Sequence, residues 1–451
     1  MRKFFKWLYP GLGIKRWLLL FSLGGCLFVT GVVLLLGPGR VWQIGSFVHQ
    51  LVRKIIGVSP VAGTGMLLLA GLIFMWLGGR NLANSIISLF LPREEGKVVD
   101  LLYSRRFLQR GPHIVAIGGG TGLSVILRGL KEYTSNITAV VNVCDDGGSS
   151  GRLRGDMGIL PPGDIRNCLL ALADTEPVME KLFQHRFSKG ELEGHSFGNL
   201  FIAAMTEMMG FKTAIKEFSK VLAVRGRVLP VTLNKVVLVA ELANERQLRG
   251  QSAIAATTTP IKEVYLDPGN CRPLEEVLEA IARADAIILG PGSLFTSIIP
   301  NLLVPGVAQA IAAAPGVKYY VCNTKVQQGE TSGFSALDHL RTIEKYLGEG
   351  VLNYFVVNQV EKTDGREKAG PAAGEPDEFL ALDNMVRWNN IEILKGSLAD
   401  PARPERHDPV ALSKLIMENL LSAGRLLDST RHYIAQLLYQ ENQAKKRGMS
   451  L

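Results

Sequence analysis

The chain has 451 residues, 47% hydrophobic and 20% charged. That is room for two to four structural units at ~100–200 residues each, and too apolar for a disordered or collagen-like polymer. The five cysteines (Cys26, Cys144, Cys168, Cys271, Cys322) are scattered and form no CxxC pair, which argues against a disulfide framework or a cysteine zinc site and for a reducing compartment. The formal charge of +9 is concentrated: residues 1–110 hold 14 Lys and Arg against 3 Asp and Glu, while the rest is close to neutral. A nucleic-acid partner would need its basic surface on the folded part, so none is expected.

Two uncharged apolar runs, 17–37 and 61–79, each have about the ~20 residues that cross a bilayer core as a helix. The first is long for a signal peptide and no small-residue cleavage site follows it cleanly. Arg2, Lys3, Lys6, Lys15 and Arg16 precede the first run, and Arg80, Arg93, Lys97, Arg105, Arg106 and Arg110 follow the second. The connection carries only Arg40, Arg53 and Lys54. The bias of basic residues predicts a multi-pass inner or plasma membrane anchor, with the N-terminus and the main domain cytoplasmic. Residues 81–92 read as an amphipathic interfacial helix or a plain linker helix. The expected units are an anchor over 1–110, a nucleotide-binding domain over 111–428 with an exposed polar loop at 362–377, and a helical basic tail over 429–451 that ends in a solvated Lys445-Lys446-Arg447.

Short apolar runs at 113–117, 137–143, 286–289, 319–322 and 354–357 alternate with helical spacing such as Leu123, Ile126, Leu127 and Leu130. This predicts α/β architecture with a doubly wound, mostly parallel sheet, whose ligands bind beyond the C-terminal strand ends.

The loops after those strands carry the polar motifs. Gly118, Gly119, Gly120, Thr121 and Gly122 follow the first strand and open a helix, where free N–H groups and the dipole favour phosphate. The pattern is neither the dinucleotide fingerprint, since Leu123 takes the third glycine position, nor a P-loop, since no GK[ST] follows. Asp145 and Asp146, followed by Gly147, Gly148, Ser149 and Ser150, can accept ribose hydroxyls or hold magnesium. Arg152 and Arg154 can pair with phosphate or carboxylate oxygens. Asp164 reads as a helix cap, with Asn167 or Arg166 as ligand contacts; Ser196 reads as the cap of a second helix that carries Asn199, and His195 as a surface histidine. A second glycine turn holds Gly290, Pro291, Gly292, Ser293, Leu294 and Thr296. Two such turns in one sheet favour a diphosphate-bearing ligand. Glu330 reads either as a cap or as a sugar contact. No GxSxG, HExxH or catalytic-cysteine context occurs, so binding is expected ahead of catalysis.

Taken in order, Ile117-Gly118-Gly119-Gly120-Thr121-Gly122, Asp145-Asp146-Gly147-Gly148-Ser149-Ser150-Gly151, Gly163-Asp164-Ile165-Arg166, Gly198-Asn199-Leu200 and Gly292-Ser293-Leu294 through Pro300-Asn301-Leu302 resemble the gluconeogenesis-factor (YvcK-like) family. This is a branch of the CofD-like group that includes 2-phospho-L-lactate transferase. The resemblance covers about residues 112–421. It implies a Rossmann-like fold, binding of a UDP-sugar such as UDP-N-acetylglucosamine, and a role in cell shape, carbon-source adaptation and peptidoglycan synthesis, with cell-wall synthesis proteins and self-association as partners. It also implies that the 118–122 turn and the 145–150 loop lie at the nucleotide, with Ser293, Leu294 and Thr296 near the diphosphate or sugar. The alternative is a magnesium-dependent transferase of a phospholactate-type group, with Asp145 and Asp146 on the metal. Two departures stand out. Typical members begin near the first strand and look soluble, whereas this chain adds two apolar runs. The family's Asn-Val-Met-Thr-Gln-Pro-Gly-Glu-Thr stretch reads Asn323-Thr324-Lys325-Val326-Gln327-Gln328-Gly329-Glu330-Thr331 here.

Overall fold

A computed structural model describes residues 14–35, 60–90, 107–174, 177–327, 329–359, 385–424, 426 and 428–446. The loop expected at 362–377, Gln328 and Arg447 lie outside these residues. By its internal contacts the chain divides into Met1–Arg105 and Arg106–Leu451.

The first unit holds two helices, Ile14–Leu35 and Pro60–Phe90. Windows Arg16–Val33 and Gly63–Leu82 are long and apolar enough to cross a membrane. The second helix does not stop at 79. It runs unbroken through most of the stretch read as a separate interfacial or linker segment, because the sequence there contains no proline until Pro92. The two helices pack through glycines. A Cβ on Gly24 would lie 2.6 Å from Met75 N, and one on Gly71 would lie 2.7 Å from Phe28 N. The large side chains face outward: Leu19, Leu69 and Trp76 are each more than 60% exposed.

The second unit is built on an eight-stranded sheet: β1 (Ile114–Gly118), β2 (Ile137–Val141), β3 (Arg227–Pro230), β7 (Ala286–Leu289), β8 (Val317–Val321), β9 (Tyr354–Asn358), β10 (Arg387–Trp388) and β11 (Ile391–Gly396). Its order is β3-β2-β1-β7-β8-β9-β11-β10, parallel except for the edge hairpin β10–β11. β1, β2, β7 and β8 are buried along their whole length, as expected for parallel strands covered by helices on both faces. Five of these strands, β1, β2, β7, β8 and β9, coincide with the apolar runs of the sequence, whereas β3, β10 and β11 do not; a separate antiparallel sheet of β4 (Val237–Leu242), β5 (Gln247–Arg249) and β6 (Ile261–Asp267) is inserted between β3 and β7. A small hairpin, β12 (Ala399–Asp400) and β13 (Arg403–His407), follows the main sheet.

The order reverses between β1 and β7, so the crevice for a ligand opens beyond their C-terminal ends. Both predicted glycine turns lie there.

The tail helix Asp428–Lys446 is not a detached appendage. Tyr433, Ile434 and Leu438 are buried, the Tyr433 ring packs against Phe107 with centroids 4.4 Å apart and planes tilted by 46°, and its hydroxyl donates to the Tyr133 carbonyl at 2.7 Å. Apolar residues spaced along one face of the helix made this docking possible.

Candidate ligand site at the sheet switch point

β1 ends at Gly118 and a helix, Gly120–Leu130, starts two residues later with no side-chain cap. The turn is tight because other backbone is pressed against it. A Cβ on Gly122 would fall on the Pro291 carbonyl and lie 2.7 Å from Gly292 Cα. One on Gly120 would fall on Asp164, and one on Gly119 would lie 2.7 Å from Ser297 Oγ. The first glycine turn therefore interlocks with the second and with the start of helix Gly163–Leu172. Thr121 alone of the five faces outward.

Asp164 does not cap its own helix; the cap position is Pro162, and no side chain bonds there. Its carboxylate instead accepts from the Gly120 N–H. Burial, and then the like charge of Asp145, push the Asp164 carboxyl up to about 7, against the pull of that N–H and of Arg166. An acid poised there can hold or release a proton near neutrality. Asp145 turns inward: a Cβ on Gly163 would lie 3.2 Å from its Oδ2, and its Oδ1 accepts from Gly147 N at 3.0 Å. Asp146 turns away, accepting from Ser252 N at 2.8 Å at the start of the short helix Gln251–Ala255. Asp145 and Asp146, which suit ribose hydroxyls or, in the transferase alternative, magnesium, therefore turn to different neighbours, and it is Asp145 whose charge acts on Asp164. Among the described residues no cluster of three or more His, Cys, Asp or Glu is suited to a metal.

Ser149 and Ser150 begin helix Gly148–Met157 and serve different partners. Ser150 Oγ accepts from Gly163 N at 3.1 Å. Ser149 Oγ lies 3.0 Å from His195 Nδ1 and accepts from Asn199 Nδ2 at 3.1 Å. His195 is thus buried, at 8% exposure, rather than a surface residue. Burial, with help from Arg152, lowers its pKa. The buried Arg166 closes the network by donating to Ser196, to Asn199 Oδ1 at 2.9 Å and to Asn167 Oδ1 at 2.8 Å. Burial brings Arg166 down to about 10, still cationic at neutral pH. Ser196 caps helix Phe197–Met209 as expected, accepting from Asn199 N at 3.2 Å.

The second turn is held by its surroundings. Asn323 clasps Gly292 through both backbone groups, at 3.1 and 3.0 Å. Glu330 is 4% exposed and accepts from Phe295 N at 3.0 Å and Thr296 Oγ1 at 2.9 Å. It is a cap on the π-helical turn Leu294–Ile298, and burial raises its pKa although those bonds oppose the rise. Leu294 and Thr296 are consequently buried behind the turn, and Ser293 Oγ is taken by Gln327 Nε2 at 2.9 Å.

A polar cavity of about 540 Å³ opens beside Thr121. That volume suits a small organic ligand. Asn167 joins Thr121 in its wall, and Arg128, Arg403, Arg406 and His407 supply the cationic and imidazole side. Arg128 is paired with Glu180 at 2.9 Å and Arg403 with Asp400 at 3.6 Å. Arg406 has no ion-pair partner among the described residues. Neither this wall nor the partners of Asp164 and His195 follow from the sequence motifs. The hairpin residues sit almost 300 positions from Thr121 and carry no motif of their own. The only signal was the cluster of Arg403, Arg406 and His407 in one short stretch.

The family model for 2-phospho-L-lactate transferase CofD matches residues 114–399. This chain belongs to the CofD family, in its gluconeogenesis-factor branch. The gluconeogenesis factor of Bacillus subtilis is 45% identical over 317 residues, covering 68% of this chain and 98% of that protein. A relative of the same designation in Clostridium acetobutylicum is 40% identical over 468 residues, covering 98% of this chain and 99% of its own length. The Clostridium acetobutylicum relative therefore shares the N-terminal extension, whereas the Bacillus subtilis protein aligns almost whole with about two thirds of this chain, as expected of members that begin near the first strand. A crystal structure of a UPF0052-family protein from Bacillus halodurans superposes with a TM-score of 0.62 at 42% identity, covering 68% of this chain and 99% of that one.

Proposed function

We propose that this CofD-family chain binds a nucleotide sugar of the UDP-N-acetylglucosamine class in the cavity beside Thr121 and reports its supply to cell-wall synthesis. The observation that carries the reading is the arginine-walled cavity next to Thr121, at the start of the helix that follows the first glycine turn. A helix N-terminus and Arg406, which has no ion-pair partner among the described residues, suit diphosphate oxygens, and Asn167 offers a neutral polar group for ribose or sugar hydroxyls. The 118–122 turn shapes the site and, apart from Thr121, does not line the cavity. The name of the Bacillus subtilis relative supports a role in growth on gluconeogenic carbon sources, and the resemblance adds cell shape and peptidoglycan synthesis. The two apolar helices support anchoring in the plasma membrane, with both flanks cytoplasmic on the basic-residue bias.

A magnesium-dependent transferase is the second reading, favoured by the Asp145–Asp164 pair. Their oxygens suit a hard cation; burial and then the like charge of Asp145 raise Asp164, and a cation would offset both. Bound magnesium would neutralise phosphate oxygens there. The full-length chain in nanodiscs, titrated calorimetrically with UDP-N-acetylglucosamine with and without magnesium, tests both readings. Saturable binding with the ligand recovered intact is expected. Magnesium-dependent turnover would replace the sensor by the transferase, and absence of binding would remove the nucleotide-sugar reading.

A further inference from the structure

The tail helix docks where the chain enters the α/β unit, and a second cavity opens at that junction. It holds about 440 Å³ and is lined by Phe107, Arg110, His432, Tyr433 and Gln436. Its more buried members are the aromatic pair Phe107 and Tyr433, and its exposed members are the polar Arg110, His432 and Gln436. Arg110 has no ion-pair partner among the described residues. The exposed face continues along the helix, because His432, Ala435, Gln436 and Tyr439 recur at helical spacing. Tyr439 is 65% exposed although it is large and largely apolar. Aromatic rings beside cationic side chains suit the headgroup zone of a bilayer, where one end of a tyrosine is apolar and the other wet.

Charge separates this junction from the rest of the unit. Residues 111–427 hold 32 Lys and Arg against 36 Asp and Glu, a net of −4. The entry stretch carries Arg105, Arg106 and Arg110 with no acid, and the tail carries Arg431, Lys445, Lys446 and Arg447 against Asp428 and Glu441. The packing of Tyr433 on Phe107 joins these two stretches, which lie at opposite ends of the unit. The second apolar helix ends at Phe90, so residues 91–106 alone connect it to Phe107. Fully extended, that connection spans at most ~60 Å. The surface around Phe107 is therefore held within that reach of the anchor.

We infer that this face, the Phe107–Tyr433 cavity with the exposed side of the tail helix, is a docking surface for the anionic lipids of the membrane that holds the anchor, Arg110 and His432 taking a headgroup phosphate. The inference rests on the membrane anchoring proposed above. An anionic leaflet attracts this basic junction and repels the net acidic remainder of the unit. An acidic segment of another protein would satisfy the charge, but the leaflet lies at the end of the connection and also suits Phe107, Tyr433 and Tyr439.

The experiment uses the full chain with Cys26→Ala and Ala435→Cys, so that a nitroxide attached at 435 reports on the exposed face; the other four cysteines are buried. The labelled chain is placed in nanodiscs of phosphatidylcholine alone or mixed with phosphatidylglycerol. Collisions of the label with a water-soluble nickel chelate are read by electron paramagnetic resonance. Phosphatidylglycerol is expected to lower the nickel accessibility about threefold, and 1 M salt, which screens charges beyond about 3 Å, to restore it. Arg110→Glu and His432→Glu are each expected to restore it as well, with Tm unchanged because both side chains are exposed. Equal accessibility in the two lipids, with the chain incorporated in the discs, overturns the inference and leaves the anchor standing. Equal protection in both lipids that Arg110→Glu does not relieve means an apolar contact without headgroup recognition and also overturns it. Protection that requires added polyglutamate assigns the face to an acidic protein partner and overturns it too. A chain that does not enter the discs fails the anchoring reading, and the inference falls with it.

Discussion

Glycine brings backbones together in both units, for different reasons. In the apolar pair Ile14–Leu35 and Pro60–Phe90, Gly24 and Gly71 let two helices touch where lipid would give no hydrophobic drive to associate. At the switch point, Gly120 and Gly122 let a turn nest against Asp164 and the Pro291–Gly292 backbone. The first arrangement is a repeated, replaceable surface fit. The second is a single junction on which the site depends, because the same contacts set the position of Thr121 and the environment of Asp164.

The contrast can be broken at its strongest point first. Gly122→Val forces a branched side chain onto the Pro291 carbonyl, and a loss of about 3 kcal/mol or more is expected from backbone displacement. Chemical denaturation of the full chain, read on the α/β domain, measures it; a loss below ~1 kcal/mol would mean that the two turns are not interlocked.

Asp164→Asn should act nearly as strongly, in the opposite direction. The folded pKa of Asp164 is raised to about 7 from an ordinary 3.8, so the fold favours the protonated form. That contribution is fully present below about pH 4 and lost as pH rises through about 7. An asparagine oxygen can still accept from Gly120 N–H without ionising. The variant is therefore expected to be more stable than wild type at pH 8, by on the order of 3 kcal/mol, and equal to it near pH 3.5. Denaturation at the two pH values decides, and a difference independent of pH would exclude ionisation as its source.

Gly71→Leu is milder. It should separate the helix pair at a cost of ~1–2 kcal/mol, with no change in ligand affinity. Disulfide trapping between cysteines placed on facing positions of the two helices reports the separation. Gly155→Ala is smallest: nothing lies within 4 Å of the added Cβ and the residue is inside a helix, so a gain of about 0.5–1 kcal/mol is expected in thermal unfolding.

Much of the scaffold was readable because its signals are local. The fully buried strands at 114–118, 137–141 and 286–289 are uninterrupted apolar runs, and each glycine turn follows its strand directly. β6 escaped because its polar and apolar positions mix, as in the Lys262-Glu263-Val264 stretch, whereas β4 is a mostly apolar run, Val237–Leu242, that was passed over. The site was less legible for a related reason. Asp164 fits the pattern of a cap, yet its partner is Gly120, forty-four positions away. His195 looks solvent-bound in a polar stretch, yet Ser149 covers it. Glu330 could be settled only by seeing Phe295 and Thr296 donate to it. These roles are set by distances through space, and no spacing rule encodes them.

The docking of Tyr433 on Phe107 brings the domain's first and last described segments side by side. The α/β unit is thus nearly a closed loop of chain. Joining its ends with a short linker and opening new termini elsewhere, as in circular permutation, would leave the sheet order intact. Truncation after Leu426 would instead uncover Phe107 and remove the bond to Tyr133.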